Sequence, residues 1–321
     1  FADVQARQAA WKYVAEPTQY NFTQFNVEDM SWLFINPKVG ARFIVNRANS
    51  VYLNAGMTSR EPTRLDYLRD DLATRDIKQD ELKPESVLDI EAGWNTSSKN
   101  LFLNTNLYYM QFQNQIANTG LLNAFGAPIT QNTGSGTRMG IEIDGIYRLS
   151  PRWALTNSSS FSMNRIESFT QYFVIYDEAA DSTYSGPATY TNTTPALSPA
   201  IIVNQGVRFT PFNYMTLDVN GRYVSRQYID NTQTEGLSIP EYYVLDAALS
   251  LKLEQWTKVG EQSLSLRVNN ITNTLYAPSG VIGGYSNTLT VANDGNKKVT
   301  TPAAYFPAAT TNFFVTLMIK F

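Results

Sequence analysis

Residues 312–321, "NFFVTLMIKF", decide the fold class because their side chains alternate in character up to the last residue. One face of an extended chain would carry Phe313, Val315, Leu317, Ile319 and Phe321, and the other Phe314, Thr316, Met318 and Lys320. A repeat of two residues is typical of a β-strand whose two sides meet different surroundings. The C-terminus is therefore predicted to be a fully paired strand rather than a frayed tail.

The same alternation recurs along the rest of the chain. In residues 31–46, apolar Leu33 and Phe43 occupy odd positions, whereas polar Lys38 and Arg42 occupy even ones. Every such run together predicts twelve strands, at about 2–14, 31–46, 51–60, 86–96, 101–113, 138–149, 152–167, 200–210, 213–226, 242–253, 262–271 and 312–321. Most of these are about twice as long as the roughly five or six residues usual in soluble proteins. Such lengths fit strands that cross a bilayer, which takes about 9–11 residues when a strand is tilted.

The connectors between these strands alternate between short and long. Short ones lie at 47–50, 97–100, 150–151, 211–213 and 255–261, and long ones at about 15–30, 61–82, 117–136, 168–198, 227–239 and 273–311. Short turns on one side and long loops on the other are typical of an outer-membrane barrel, with the short turns in the periplasm. The predicted fold is all-β: a transmembrane, antiparallel, up-and-down β-barrel with odd-numbered side chains toward lipid. A soluble β-sandwich is the alternative, but it would show turn signals about every 8–12 residues, which this sequence lacks.

Aromatic residues near the strand ends favour two belts at the membrane surfaces. Trp94 and Trp153 fall at predicted short-turn ends, and Trp32, Tyr242 and Tyr243 fall at predicted long-loop ends. Amphipathic rings are favoured at both interfaces of a bilayer, so these side chains are expected on the outer side of the barrel.

Composition excludes several functional classes. The 321 residues include no cysteine and no histidine, which removes disulfides, cysteine nucleophiles and the commonest general base and metal ligand. The net charge of −3 and the scattered basic residues are unlike a nucleic-acid-binding surface. The sequence contains no run of about 18 apolar residues, so it does not predict a transmembrane helix. We therefore expect no catalytic residues, no metal site, no cofactor and no nucleic-acid partner, and we do not expect an enzyme.

Seven segments carry a family resemblance. They are "FINPKVGARF" (34–43), "YLNAGMTSREPTRLDYL" (52–68), "ELKPESVLDIEAGW" (81–94), "GIEIDGIYRLSPRWAL" (140–155), "SIPEYYVLDAALSLKL" (238–253), "SLRVNNITNTLY" (265–276) and "YFPAATTNFFVTLMIKF" (305–321). In this order they resemble the C-terminal part of a TonB-dependent outer-membrane receptor of the Bacteroidetes type. Each segment alone is only weakly specific for the family, but their shared order across almost the whole chain makes the match specific.

The resemblance implies a 22-stranded barrel filled by an N-terminal plug, of which residues 1–321 would be the C-terminal part, strands 11 to 22. The plug, the TonB-contacting segment and the first strands are not in this sequence, which begins at Phe1 without a signal peptide. Because unpaired strand edges are costly in lipid, the N-terminal half of the barrel is expected to accompany this chain. The terminal strand, with Phe313, Val315, Leu317, Ile319 and Phe321, also resembles the signal by which outer-membrane proteins are recognised for assembly.

Charged side chains on the inner side of the barrel are candidates for function. Those predicted to face inward are Lys38, Arg42, Arg60, Asp89, Glu91, Glu142, Asp144, Arg148, Arg208, Asp218, Arg222, Asp246, Lys252, Arg267 and Lys320. Their mixed signs predict that they pair with one another and with the plug.

Arg60, Glu61 and Arg64 are the candidate substrate-binding residues. They lie where a strand enters a long extracellular loop, and arginine can hold carboxylates, phosphates or anionic chelates with two parallel hydrogen bonds. A solvated cluster that only ties the loop down is the alternative.

Loops supply weaker candidates. The acidic stretches 66–76 and 293–297 could bind calcium, although neither has full ligand spacing. Tyrosines in the loops could stack on a sugar or an aromatic chelate, namely Tyr172, Tyr176, Tyr184, Tyr190 and Tyr285.

The expected function is TonB-dependent active import of a scarce nutrient across the outer membrane of a Gram-negative bacterium. An iron–siderophore or similar organometallic complex is the expected substrate, and the expected partners are outer-membrane lipid, the TonB complex and the N-terminal half of the barrel. Import of a glycan or peptide by the same family is one alternative. A passive pore or structural subunit of an envelope complex is another, because the plug that would distinguish them lies outside this sequence.

Overall fold

The computed structural model describes residues 1–12, 29–63, 66, 82–122, 128–254, 260–282, 288–291, 297–299 and 303–320. The secondary-structure elements bounded in these ranges are β-strands, apart from one short 3₁₀ helix at Glu235–Leu237. Among the residues described, no helix combines the length and the apolar character needed to span a membrane.

Twelve strands pair side by side into one antiparallel sheet, here called the wall. In order of pairing they are β1 (Ala2–Trp11), β2 (Met30–Ile44), β3 (Asn49–Arg60), β4 (Glu85–Ser97), β5 (Leu101–Gln113), β8 (Ser135–Arg148), β9 (Trp153–Asp177), β11 (Ile201–Phe212), β12 (Met215–Val224), β15 (Tyr242–Lys252), β16 (Glu261–Asn269) and β21 (Asn312–Lys320). The twelve predicted strands are thus confirmed, and the all-β antiparallel fold with them. In the described part of the chain the wall does not close, because β1 and β21 each pair on one side only.

The C-terminal strand is paired along its whole described length. The ladder between β16 and β21 runs from Asn269 opposite Asn312 to Glu261 opposite Lys320. Three apolar side chains of β21 face apolar residues of β16: Phe313 lies opposite Val268, Val315 opposite Leu266 and Leu317 opposite Leu264. The alternation up to the end of the sequence therefore belongs to a wall strand. Phe321 lies outside the described residues.

Nine further strands lie in the long connectors. They are β6 (Ile116–Leu122), β7 (Pro128–Asn132), β10 (Ser182–Thr193), β13 (Gln227–Tyr228), β14 (Ser238–Ile239), β17 (Ser279–Ile282), β18 (Thr288–Val291), β19 (Lys297–Val299) and β20 (Ala303–Phe306). The largest, β10, forms a hairpin with the second half of β9, and β18 runs parallel to the end of β9. Segments 168–198 and 273–311, predicted as plain loops, therefore contain regular strands.

The wall has one apolar and one polar face. On the apolar face large side chains are widely exposed, with Leu33 at 71%, Phe43 at 67% and Leu53 at 56%. The same face continues through Ala55 on β3 and Ile90 on β4, which lie opposite each other in the ladder. An exposed apolar surface of this extent is suited to contact with lipid rather than water.

The prediction that odd-numbered side chains share the lipid face is wrong for β1, β4 and β16. On β4 the even-numbered Leu88 lies opposite Met57, and on β16 Leu266 lies opposite Leu249. A shift of register by one residue transfers every side chain of a strand to the other face. Even-numbered side chains therefore take the apolar face wherever a connector shifts the next strand by one residue. The predicted inward-facing charges still share the polar face. The odd-numbered members of that set lie on β4 and β16 and are Asp89, Glu91 and Arg267.

Only part of the predicted aromatic belts lies on the apolar face. At the short-turn end, Trp153 stacks on Phe209 with ring centroids 4.2 Å apart. At the long-loop end, Tyr243 is 49% exposed on the apolar face. Trp32 and Tyr242 belong to the polar face, so their assignment to the outer belt is wrong; Tyr242 is buried there.

A buried apolar core lies on the loop side of the wall. On β9, Phe173 and Ile175 are buried, and Ala188 and Tyr190 of β10 pack against them. We call these four residues the loop-side core. The β10 strand therefore folds against the extended end of β9.

Candidate functional site

Arg60, one of the predicted substrate-binding residues, is the last residue of β3 and lies opposite Glu85, the first residue of β4. The Nε of Arg60 donates a short hydrogen bond to Oε2 of Glu85. The other oxygen of Glu85 accepts a hydrogen bond of 2.5 Å from the backbone N–H of Ile116. The ion pair between Arg60 and Glu85 thus links β3 to β4 at the loop end, although 60% of the Arg60 side chain remains exposed.

Glu61, which follows β3, is held by Arg7 on β1 of the wall. The two Nη atoms of Arg7 donate to its carboxylate over 3.1 and 2.5 Å, a bidentate ion pair. The Cζ of Arg7 also lies 5.0 Å from the ring centroid of Phe34. The hydrogen bonds from Arg7 hold the pKa of Glu61 below its ordinary value. Arg64 lies outside the described residues, so the structure brings only Arg60 and Glu61 to the loop end of the wall.

Next to Arg60 a cavity of about 270 Å³ opens at the loop end of the polar face. It is lined by Thr58, Arg60, Glu85, Phe112, Gln115 and Arg138, among others. Arg138 lies on β8, and its Cζ sits 4.8 Å from the centroid of the Phe112 ring. Sequence analysis did not single out Arg138, because its proximity to Phe112 and Arg60 depends on the pairing of β3, β4, β5 and β8.

A larger cavity of about 640 Å³ lies at the short-turn end of the polar face. Its basic residues are Arg148, Arg152, Arg208 and Arg267. Arg208 donates to both carboxylate oxygens of Asp218, over 2.7 and 3.3 Å. Among the described residues, the predicted pairing of inward-facing charges with one another is therefore confirmed for Arg208 and Asp218 alone. In the described chain, the central carboxylates of the polar face form no ion pair; they are Asp89, Glu91, Glu142 and Asp144.

The structure describes some of the tyrosines and acidic residues that were predicted to bind ligands in the loops. Tyr176 donates from its hydroxyl to Asp181 over 2.9 Å at the tip of the β9–β10 hairpin. Tyr190 packs on Phe173 with ring centroids 6.4 Å apart. The side chain of Tyr184 and all of Tyr285 lie outside the described residues, as do nearly all of the two acidic stretches. Where the structure describes the chain, no three histidine, cysteine or acidic side chains lie close enough together to hold a metal.

Asp230 is a buried carboxylate among the loops. Its Oδ1 accepts hydrogen bonds from the backbone N–H and the hydroxyl of Thr232, over 3.0 and 2.7 Å. Its Oδ2 is buried without a hydrogen-bond partner in the described structure. Burial raises the pKa of Asp230, and burial together with the charge of Asp230 raises the pKa of Tyr190.

A family model described as TonB-dependent receptor-like β-barrel matches residues 11–271. No curated protein matches the sequence. Solved structures provide further comparison, although their low sequence identities support the fold alone.

Three similar solved structures are described as an import receptor, an uptake receptor and a transporter. The ferric-catecholate import receptor Fiu from E. coli K12 is 16% identical with a TM-score of 0.59, and the match covers 91% of this chain and 36% of Fiu. The ferric yersiniabactin uptake receptor FyuA from Yersinia pestis is 15% identical with a TM-score of 0.61, covering 92% of this chain and 38% of FyuA. The copper transporter OprC is 13% identical with a TM-score of 0.64, covering 90% of this chain and 39% of OprC. The chain thus spans less than two fifths of the length of each of these proteins.

Proposed function

The chain belongs to the TonB-dependent receptor family, and we propose that it supplies part of the wall and external loops of a receptor that actively imports a scarce nutrient. Barrels of this family are Gram-negative outer-membrane proteins, which places the apolar face of the wall in lipid and the polar face toward the lumen. The family consists of receptors and transporters rather than enzymes. In keeping with this we assign no catalytic role to the chain.

One observation carries the proposal: the match to the family barrel extends over residues 11–271, and twelve wall strands pair in sequence order there and beyond. The proposed whole receptor includes the N-terminal half of the barrel, a plug and a segment that contacts TonB. Residues 1–321 are then the C-terminal part of the barrel. Both β1 and β21 offer an edge at which further wall strands can pair.

An iron–siderophore or similar metal complex is the proposed substrate. Two of the similar structures are described as receptors for ferric compounds and a third as a copper transporter, so metal complexes are the common theme among them. We propose that the solute meets the receptor at the loop end of the polar face, at Arg60 and Glu61 together with Arg64. The wall partners of Arg60 and Glu61 hold these two side chains in position for such contact.

Gene deletion tests the proposed substrate. The deletion strain and its complemented parent are grown with single defined iron sources, and uptake of radiolabelled iron is measured for each. Loss of growth and uptake on one ferric chelate, restored by complementation, is expected. Unchanged uptake on every ferric source, together with lost growth on a glycan or peptide, would assign the receptor to that alternative class.

A passive pore remains a competing class with a distinct signature. Active import depends on TonB, so removal of TonB from the same strain is expected to abolish uptake as fully as removal of the receptor. Uptake that persists without TonB would support the pore instead.

We also propose that the terminal strand carries the signal for membrane assembly. Phe313, Val315, Leu317 and Ile319 share one face of β21, and Phe321 continues the pattern. Phe321→Ser in the full receptor is expected to reduce the amount assembled in the outer membrane, measured as heat-modifiable protein. Lys320→Ser, next to it on the other face, serves as the control and is expected to assemble normally.

A further inference from the structure

We propose that Arg138, stacked on Phe112 in the cavity at the loop end of the lumen, is a binding contact for an anionic group of the imported solute. This inference rests on the proposed import function and names the chemical class that one point of the binding surface recognises. It concerns a different residue from the three selected by sequence, and the contacts of Arg138 distinguish it from them.

The position of Arg138 follows from the register of β5 and β8. Phe112 lies opposite Gly136, and Arg138 is two residues further along β8 on the same face. Because Gly136 has no side chain, the place beside the Phe112 ring is open to a diagonal neighbour. The guanidinium of Arg138 takes that place, with its Cζ 4.8 Å from the ring centroid.

Stacking leaves the hydrogen-bonding groups of Arg138 free. A guanidinium that lies over an aromatic face uses its flat surface, whereas its five N–H donors point outward in the plane. The side chain of Arg138 makes no hydrogen bond or ion pair with any residue that the structure describes. Its donors are thus available to a group inside the cavity.

Two other arginines that the structure describes at the loop end are already paired. Arg60 bonds to Glu85, and Arg7 forms a bidentate pair with Glu61. Among the described residues that line the cavity, Arg60 and Glu85 offset each other, so the positive charge of Arg138 is left uncompensated. An anionic group entering the cavity would therefore meet a net positive site.

The size of the cavity limits what enters it. Its volume of about 270 Å³ lies just below the range of roughly 300–1,000 Å³ typical of pockets that enclose a whole small ligand. It therefore fits one anionic arm of a larger solute, such as a carboxylate or a catecholate, beside the flat face of Phe112. A planar anionic group could accept two hydrogen bonds from the guanidinium and lie against the ring edge.

The test measures binding by the full receptor in detergent, by titration calorimetry, with three matched pairs of probes. The pairs are an anionic ferric tris-catecholate and an uncharged ferric tris-hydroxamate, an acidic and a neutral form of one peptide, and a uronate-containing and a neutral oligosaccharide. The wild-type receptor is expected to prefer the anionic member of the pair it binds. Arg138→Gln is expected to weaken that binding roughly ten- to a hundredfold, as expected for loss of charge-assisted hydrogen bonds.

Two variants control for folding and for the general electric field of the lumen. Arg138→Lys keeps the charge but not the fork of donors, and it is expected to recover part of the affinity. Arg222→Gln removes the same charge from the same face on β12, away from the cavity, and is expected to bind as the wild type does. Heat-modifiable migration of each variant verifies that the barrel has formed.

The outcomes separate this inference from the proposed function. Binding of the ferric catecholate with equal affinity by wild type and Arg138→Gln keeps iron import and overturns the role of Arg138. Arg138-dependent binding of an acidic peptide or a uronate, without binding of ferric probes, keeps the anionic contact and overturns iron import. Equal losses in Arg138→Gln and Arg222→Gln, or no preference for an anionic probe in any pair, also overturn the contact.

Discussion

The wall and the loop-side core treat apolar side chains in opposite ways. On the apolar face of the wall, Leu33 and Phe43 are 71% and 67% exposed. In the loop-side core, Phe173 and Ile175 are 0% and 6% exposed. Both regions are made of antiparallel strands with the same two-residue alternation, and β9 runs through both.

The difference shows that alternating apolar and polar residues indicate a strand with different surroundings on its two faces. The alternation does not indicate whether the apolar face meets lipid or other protein side chains. In the wall, lipid covers the apolar side, so no second protein layer is needed there. Beyond the membrane, water surrounds the hairpins, and their apolar side chains must cover one another. Substitutions that change one side chain in each region can test this contrast.

The largest effect is expected for Phe173→Ala in the loop-side core. Removing a fully buried aromatic ring leaves a cavity and costs about 3–5 kcal/mol. The loss should lower the free energy of opening of the β9–β10 hairpin, measured by hydrogen exchange of its amides in the full receptor. Phe43→Ala on the apolar face of the wall should leave those amides unchanged. Faster exchange throughout the wall in Phe173→Ala would contradict a separate loop-side core.

The next largest effect is expected for Leu53→Arg on the apolar face of the wall. A charged side chain facing lipid costs roughly 2–4 kcal/mol near the middle of the bilayer. The measurement is denaturant unfolding of the full receptor in lipid vesicles. Asn54→Arg places the same group one residue away on the polar face, beside a cavity of about 540 Å³ that Glu91 also lines, and should cost little. Equal losses would show that the two faces do not differ as described.

A smaller effect is expected for Gly93→Ala inside the wall. A methyl group on Gly93 would overlap the ring of Tyr52, whose hydroxyl donates to Asn106 over 2.9 Å. Shifting the ring strains this contact, and overpacking of this kind costs about 1–3 kcal/mol. The same unfolding measurement should show no loss for Gly236→Ala in the loops, where a methyl group meets no atom within 4 Å. In a Tyr52→Ala background, Gly93→Ala should cause no further loss of stability; a loss as large as in the wild type would refute the strain.

The smallest effect is expected for pH. Burial raises the pKa of Asp230, so the unfolded loop releases the proton at a lower pH than the folded loop does. The stability of the loop packing is full below the ordinary aspartate value near 3.8 and falls as pH rises, until the raised folded-state value is passed. Asp230→Asn should remove this fall, observed as limited proteolysis of the loops at a series of pH values. Parallel curves for variant and wild type would contradict it.

Sequence alone predicted the wall well, because long alternating runs are a property of the chain itself. It did not predict which face the side chains of β1, β4 and β16 occupy, since that depends on register. The alternation of Phe169 and Phe173 continues that of β9 and was a usable signal for the β9–β10 hairpin. Arg138 could not be selected in this way, because it differs from Arg60 only in the partners that pairing brings to each.

The continuous course of β9 has a consequence at the cell surface. Its 25 residues amount to roughly 80 Å of extended chain, against a hydrocarbon layer of about 30 Å. The β9–β10 hairpin therefore extends beyond the lipid headgroups on the loop side, and its tip carries the acidic residues Asp177, Glu178 and Asp181. A large molecule that approaches from outside can therefore contact this acidic tip at a distance from the lipid surface.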